Sequence, residues 1–68
     1  MENKNNEIWN YLISTSKELD LFAAKVRRNI HKVDDVRCQV LFETSAEVLI
    51  GLKHAYDDFL KQNEKVWL

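Results

Sequence analysis

Large apolar residues recur along both halves of the chain at helical spacing. In the first half the series runs from Ile8 to Val33 in alternating steps of four and three residues, and a similar series runs from Cys38 to Phe59. Such steps place residues on one stripe of an α-helix, so the pattern predicts two amphipathic helices. Their bulky members, which we expect to form the core and dimer seam, are Ile8, Leu12, Leu19, Phe22, Val26, Leu41, Val48, Leu52 and Phe59.

The two stripes do not fit one continuous helix. At about 100° per residue the second stripe is centred roughly 90° ahead of the first, whereas a heptad stripe on one helix lags by only about 20° per heptad. Asp34 and Asp35 lie at the change of phase, and either one can cap a helix N-terminus. The sequence therefore predicts an all-α helical hairpin. It is a single domain over residues 1–68, with helix 1 at about 4–32, a turn at about 33–34 and helix 2 at about 35–64.

A single pair of these helices would leave apolar surface in water. A chain of 68 residues buries only about 60% of its unfolded surface. The apolar arc of helix 2 spans about 140°, which is wider than one neighbouring helix covers. Two hairpins packed face to face would bury the remainder by twofold symmetry. We therefore expect the hairpin to dimerise into a four-helix bundle, so that its main partner is a second copy of itself.

Composition argues against catalysis and membrane insertion. Proline is absent and glycine occurs once, which leaves little loop on which to mount an active site. Cys38 is the only cysteine, and we expect it to be buried and inert. No apolar stretch approaches the roughly 20 residues of a membrane span, and the net charge is only −1. The sequence predicts a cytoplasmic protein that is not an enzyme and has no cofactor or metal.

Five basic residues stand together before the predicted turn, with no acidic residue among them: Lys25, Arg27, Arg28, His31 and Lys32. In one interpretation they occupy the last two turns of helix 1, where cations complement the helix dipole. In the other, Lys25, Arg28 and Lys32 bind nucleic-acid phosphates. The hairpin dimer resembles, in architecture alone, the Rop type of plasmid regulator, a homodimer of helical hairpins that binds paired RNA loops. No sequence motif is shared, so this resemblance assigns no role to any residue.

Other polar residues have positions that suggest structural roles. Thr15 and Ser45 fall on the apolar stripes, where a hydroxyl can bond to the carbonyl of the preceding turn. Asn29 lies on the stripe of helix 1 and would either fix the register of the dimer or cap the helix end. A row on helix 2 lies opposite the seam, and we expect it to face water rather than bind a metal: Glu43, Glu47, His54 and Asp58.

Two tryptophans lie near opposite ends of the sequence. The hairpin would bring Trp9 and Trp67 to its open end, and tryptophan is enriched at binding hot spots. They would either complete the bundle at that end or form a docking patch for another protein.

These expectations favour a small, non-enzymatic helical-bundle protein that acts as a protein-interaction or regulatory module through homodimerisation. The alternative is a Rop-like nucleic-acid-binding regulator that uses the basic end of helix 1. Salt-dependent binding to RNA or DNA that is lost on charge reversal at Arg28 and Lys32 would distinguish the alternative from the first hypothesis.

Overall fold

The chain forms two long helices of equal length. The structure, a computed structural model, describes residues 4–63. Helix α1 spans Lys4–Ile30 and helix α2 spans Val36–Gln62, each with 27 residues. They pack side by side along their length in a single layer, with Cα extents of 54 × 21 × 11 Å. The predicted all-α helical hairpin is confirmed. Within the described residues, neither helix has an apolar stretch long enough to cross a bilayer.

The reversal of the chain begins earlier than the predicted turn at about 33–34. Helix α1 ends at Ile30 rather than at about 32, because its final hydrogen bonds tighten to a spacing of three residues. The amide of His31 donates to the carbonyl of Arg28 at 3.3 Å, and the amide of Lys32 donates to that of Asn29 at 3.0 Å. Such tightening is common in the last turn of a helix. The early end of α1 places two of the five basic residues, His31 and Lys32, in the turn instead of the helix.

The start of α2 is fixed by an aspartate cap. Asp35 has an extended backbone, with φ −77° and ψ 119°. Its Oδ1 atom accepts hydrogen bonds from the amides of Arg37 at 2.8 Å and Cys38 at 3.4 Å. These amides have no partner within the helix, so the carboxylate satisfies them and places negative charge at the helix N-terminus. Of the two aspartates at the predicted break, Asp35 is therefore the cap.

Two amide side chains close the remaining ends. Gln39 donates from Nε2 to the carbonyl of Val33 at 2.8 Å and so ties the first turn of α2 to the connecting segment. At the far end, the backbone amide and the Nδ2 atom of Asn63 both donate to the carbonyl of Phe59, at 3.1 and 2.8 Å. Helix α2 ends at Gln62, and the expected end near residue 64 lies outside the described residues.

The cap at Asp35 predicts that alanine substitutions at Asp34 and Asp35 change the free energy of unfolding by different amounts. Asp35→Ala removes the acceptor from the first turn of α2 and should lower the free energy of unfolding by about 1 kcal/mol. Asp34→Ala removes the same charge from an exposed position with no cap bond and should change it by less than about 0.5 kcal/mol. Urea denaturation followed by circular dichroism measures both. Equal losses in the two variants would show that charge near the turn matters and the cap does not.

The core of the hairpin is a narrow strip of mostly small residues. Ala23 and Ala46 are 0% and 1% exposed, and Ser16, Val26 and Leu60 are also buried. Residues 16, 23 and 30 of α1 and residues 39, 46, 53 and 60 of α2 are all buried or half-buried and are spaced by seven. Small residues at the contact between two helices allow a close approach of their axes. This heptad strip, together with the adjacent Val26, is therefore the contact between α1 and α2.

The predicted seam lies mainly on a neighbouring stripe, and Val26 is its one member buried in this contact. Of its nine residues, Val26 alone is buried in the hairpin, while Leu12 and Leu19 are half-buried. The hydrophobic pattern follows the bulkiest residues, whereas the most deeply buried positions are two alanines, Ala23 and Ala46. The six members that remain exposed are Ile8, Phe22, Leu41, Val48, Leu52 and Phe59.

Candidate functional site

The exposed and half-buried members of the predicted seam form one apolar surface along a side of the hairpin. We call this surface the open face and define it by Ile8, Leu12, Leu19, Phe22, Leu41, Val48, Leu52 and Phe59. Leu41 and Val48 are each 63% exposed, and Phe22 is 54% exposed. Monomeric proteins seldom leave a continuous apolar patch of this length in water. The open face is therefore the strongest candidate for a binding surface among the described residues.

Grooves run between the two helices on the open face. Leu12 of α1 and Ala55 and Phe59 of α2 line one groove near the open end of the hairpin. A larger groove near the turn has walls from both helices, including Phe22, Lys25, Val26, Asn29, Leu41, Ser45 and Val48. Both grooves are lined mainly by apolar atoms. The open face is therefore both apolar and grooved.

The hydroxyl groups on the open face are satisfied within their own helices. Thr15 Oγ1 donates to the carbonyl of Tyr11 at 2.8 Å, and Ser45 Oγ donates to the carbonyl of Leu41 at 2.8 Å. This confirms the back-bonding predicted from their positions on the apolar stripes. Because each hydroxyl already has a partner, burying this surface would leave neither donor unsatisfied. The open face is therefore suited to contact with another apolar surface.

The five basic residues are all exposed. Arg27 and Arg28 lie in the last turn of α1, His31 and Lys32 lie in the turn, and Lys25 borders the larger groove. None of the five forms an ion pair with another residue in the part of the chain described. The cluster thus offers cationic groups to solvent at the turn end of the hairpin, close to the acidic side chains of Asp34 and Asp35.

A polar network lies away from the open face. Ser16 is 5% exposed, and its Oγ atom donates a hydrogen bond to Asp57 Oδ1 at 2.6 Å. Lys53 Nζ donates to the other carboxylate oxygen from one turn earlier on α2. The carboxylate thus links α1 to α2 and receives a bond on each oxygen. The bond from Ser16 to Asp57 joins the two helices and so helps to fix their register.

The network alters the acidity of its members. The pKa of Asp57 lies below the ordinary value for aspartate, because Lys53 and Ser16 donate hydrogen bonds to the carboxylate and favour its charged form. The pKa of Lys53 is raised above its ordinary value, chiefly by the same hydrogen bond, with the charges of Asp57 and Asp20 adding to it. The pairing of Lys53 with Asp57 one turn later is visible in the sequence, but the contribution of Ser16 from the other helix is not.

The lowered pKa of Asp57 predicts a loss of stability in acid. A carboxyl group with a lower pKa in the folded state stabilises that state above its unfolded pKa of about 3.9, and this contribution is lost as the pH falls through the folded pKa. The raised pKa of Lys53 also stabilises the folded state, but this contribution is lost only as the pH rises beyond about 10.4. Urea midpoints between pH 2 and 7 should therefore fall less steeply below pH 4 for Asp57→Asn than for the unmodified chain. If the urea midpoints of the two proteins fell in parallel with pH, the lowered pKa of Asp57 would be contradicted.

Two further expectations have different outcomes. The expectation that Cys38 is buried is wrong, because its side chain is exposed. It lies in the first turn of α2. The acidic row on α2 does face water, because all four of its members are exposed: Glu43, Glu47, His54 and Asp58. Among the described residues, no three His, Cys, Asp or Glu side chains converge on a possible metal position.

The tryptophan pair can be placed only in part. Trp9 is half-buried near the start of α1. Trp67 lies outside the described residues. The proposed patch at the open end therefore stays a prediction.

Comparison with known proteins does not add a relationship. No protein-family model matches the chain, and no curated protein or solved structure gives a significant match.

Proposed function

We propose that the protein is a non-enzymatic helical-bundle module that acts in protein interaction or regulation as a homodimer. In the proposed dimer, two hairpins pack through their open faces into a four-helix bundle. The observation that carries the proposal is the position of the bulky apolar residues. They lie outside the contact between α1 and α2, on one side of a layer only 11 Å thick between Cα atoms.

The area of this face suits a stable dimer. The hairpin measures 54 by 21 Å across the layer, a footprint of about 1,100 Å². A standard protein interface buries about 800 Å² on each partner, and dimers whose subunits depend on one another are often larger and more apolar. Covering even most of the open face would therefore bury enough apolar surface for a stable complex.

A second copy of this chain is the occupant that fits best. Domains are commonly built from two packed layers around one core, and the hairpin supplies only one. A twofold axis places the same surface on both subunits, so an apolar face that runs the length of both helices is matched by its own copy in length and chemistry. The hydroxyls of Thr15 and Ser45 already have acceptors within their own helices, so burying these two side chains leaves neither donor unsatisfied.

Sedimentation equilibrium over a dilution series tests this proposal. We expect a species of twice the chain mass of 8.1 kDa, with a thermal midpoint that rises with protein concentration because folding and association are coupled. A monomer that unfolds cooperatively at micromolar concentration, with a midpoint independent of concentration, would overturn it. A complex held together only by a different protein would leave the purified chain monomeric and would overturn it as well.

Nucleic-acid binding is a second candidate, favoured by the exposure of the basic cluster. Lys25, Arg28 and Lys32 project into solvent without ion-pair partners among the described residues. Phosphate contacts would make binding weaken steeply with salt. The acidic residues beside the cluster reduce the local potential, and Asp34 and Asp35 are the nearest of them.

Charge reversal separates this candidate from the first. Arg28→Glu/Lys32→Glu should abolish binding to a 20-base-pair RNA duplex in low salt if the cluster is the contact. A control variant with the same change in net charge, Lys17→Glu/Lys61→Glu, should retain most of the binding, because both of its lysines are exposed but lie outside the cluster. Absence of binding by the unmodified chain at low salt would eliminate the candidate.

A further inference from the structure

Asn29 is a polar residue in the larger groove of the open face. It is half-buried in the hairpin and lines the groove together with Phe22, Val26 and Leu41. Its place on the apolar stripe of α1 leaves two roles open, a cap for the end of that helix or a polar contact in the dimer.

The structure removes the capping role. The carbonyls of Arg28 and Asn29 accept hydrogen bonds from the amides of His31 and Lys32, so backbone groups close the last turn of α1. The side-chain amide of Asn29 makes no hydrogen bond to any residue of the described part of the chain, 4–63. Its N–H donors and its carbonyl oxygen are therefore available to a group from outside the hairpin.

Other polar side chains of this surface can serve as its partners in a second copy. Ser45 lies in the same groove and donates to the carbonyl of Leu41, and Thr15 donates to the carbonyl of Tyr11. A hydroxyl that donates one hydrogen bond can still accept another through its oxygen. A second open face therefore offers the Asn29 amide the hydroxyl oxygens of Thr15 and Ser45 and the side chain of the other Asn29.

Apolar contact by itself does not select one arrangement of two hairpins. The hydrophobic effect is non-directional, and two twofold axes in the plane of the open face bring that face against its own copy. An axis parallel to the helices places both turns at the same end of the bundle, whereas an axis across the helices places them at opposite ends. A hydrogen bond is more selective, because it needs a donor and an acceptor about 3 Å apart in the correct direction.

The Asn29 amide makes these arrangements unequal. Packing two open faces together removes water from the larger groove, and an amide buried there without a partner would weaken association by roughly tenfold or more. An arrangement that places Asn29 against an apolar side chain carries this penalty, and one that places it against a polar group does not. A single buried asparagine specifies register and oligomeric state in coiled coils for the same reason.

We propose that Asn29 is the specificity-determining residue of the homodimer. Its side-chain amide bonds to a polar group of the other copy and thereby selects one arrangement of the two hairpins. This inference rests on the proposed homodimer and names the residue that decides its geometry. The selection lowers the affinity of the dimer, because an apolar side chain at residue 29 would bury more apolar surface.

Replacing Asn29 by leucine separates specificity from affinity. Leucine is apolar and forms no directional bond, so in Asn29→Leu we expect the dissociation constant to fall about tenfold and the single arrangement to be lost. Asn10→Leu is the matched control, because Asn10 is an exposed asparagine of the same helix and lies outside the open face. It should keep the dissociation constant within about threefold and leave the arrangement unchanged.

Sedimentation equilibrium measures the dissociation constants, and pulsed electron paramagnetic resonance on the full chain counts the arrangements. One spin label is introduced by Arg37→Cys in a Cys38→Ser background, with and without each leucine substitution. The Arg37 side chain is 93% exposed and lies next to the turn. The two labels of a dimer are therefore close together when the turns share an end and far apart when they lie at opposite ends.

One distance in the chain with Asn29, together with both a short and a long distance in a tighter Asn29→Leu dimer, supports the inference. A leucine variant that keeps a single distance, or that binds no more tightly, overturns the role of Asn29 and leaves the homodimer intact. More than one distance with Asn29 present has the same consequence. A monomeric mass for the unmodified chain overturns the proposed homodimer, and the inference falls with it.

Discussion

Replacing Val48 by aspartate is expected to dissociate the proposed homodimer. Val48 is 63% exposed in the hairpin and lies on the open face, so dimerisation would bury it. The substitution places one carboxylate from each copy in the apolar interface, where a charge without a partner is strongly unfavourable. We expect the dimer dissociation constant to rise at least about 100-fold, which corresponds to roughly 3 kcal/mol.

Val40 offers a matched control on the same helix. It is also an exposed valine of α2, with 54% of its surface accessible, but it lies outside the open face and its grooves. Val40→Asp should change the dissociation constant by less than about threefold, since isolated surface substitutions have small effects. Sedimentation equilibrium of the two variants provides the comparison. Equal dissociation, or no change in either, would show that the open face does not mediate association.

Replacing Ala23 by leucine will strongly destabilise the hairpin itself. Ala23 is 0% exposed and lies where α1 meets α2, near the buried Ala46. A leucine there adds three methylene-sized groups to a filled contact and forces the helices apart. Such overpacking costs about 1–3 kcal/mol, and we expect a value near the upper end, because the change affects every other contact along the heptad strip.

The neighbouring alanine separates packing from helix propensity. Ala24 is exposed on α1, and leucine is nearly as good a helix former as alanine. Ala24→Leu should therefore shift the free energy of unfolding by less than about 0.5 kcal/mol. Urea denaturation at two protein concentrations distinguishes a loss of hairpin packing from a loss of dimer. Similar losses for Ala23→Leu and Ala24→Leu would mean that residue 23 is not at the helix contact.

Local features of the hairpin could be predicted from the sequence because their causes act over a few residues. The change of phase near residue 34 and the capping ability of aspartate indicate where one helix ends and the next begins. The back-bonding of Thr15 and Ser45 depends only on a carbonyl one turn away. The exposure of the acidic row on α2 follows from its position opposite the apolar arc.

The pairing of the two helices could not be predicted in the same way. A hydrophobic pattern ranks stripes by apolar bulk, and by that measure Phe22, Leu41 and Val48 belong inside. The helices instead meet through Ala23 and Ala46, since small residues let the two backbones approach. Which stripe forms the contact depends on how closely the two helices approach. That distance is set by the side chains of both helices together. The choice also determines which bulky residues remain exposed.

The sequence by itself thus determined two helices, the break between them and an apolar surface too wide for one hairpin to bury. Only the tertiary structure decided that this surface lies to one side of the helix contact, that Cys38 is exposed, and that Ser16 bonds to Asp57 across the hairpin. The physical reason is the distance along the chain over which each interaction acts. Caps and back-bonds are satisfied within one or two helical turns, whereas packing selects among stripes of similar helical periodicity through contacts between residues far apart in the chain.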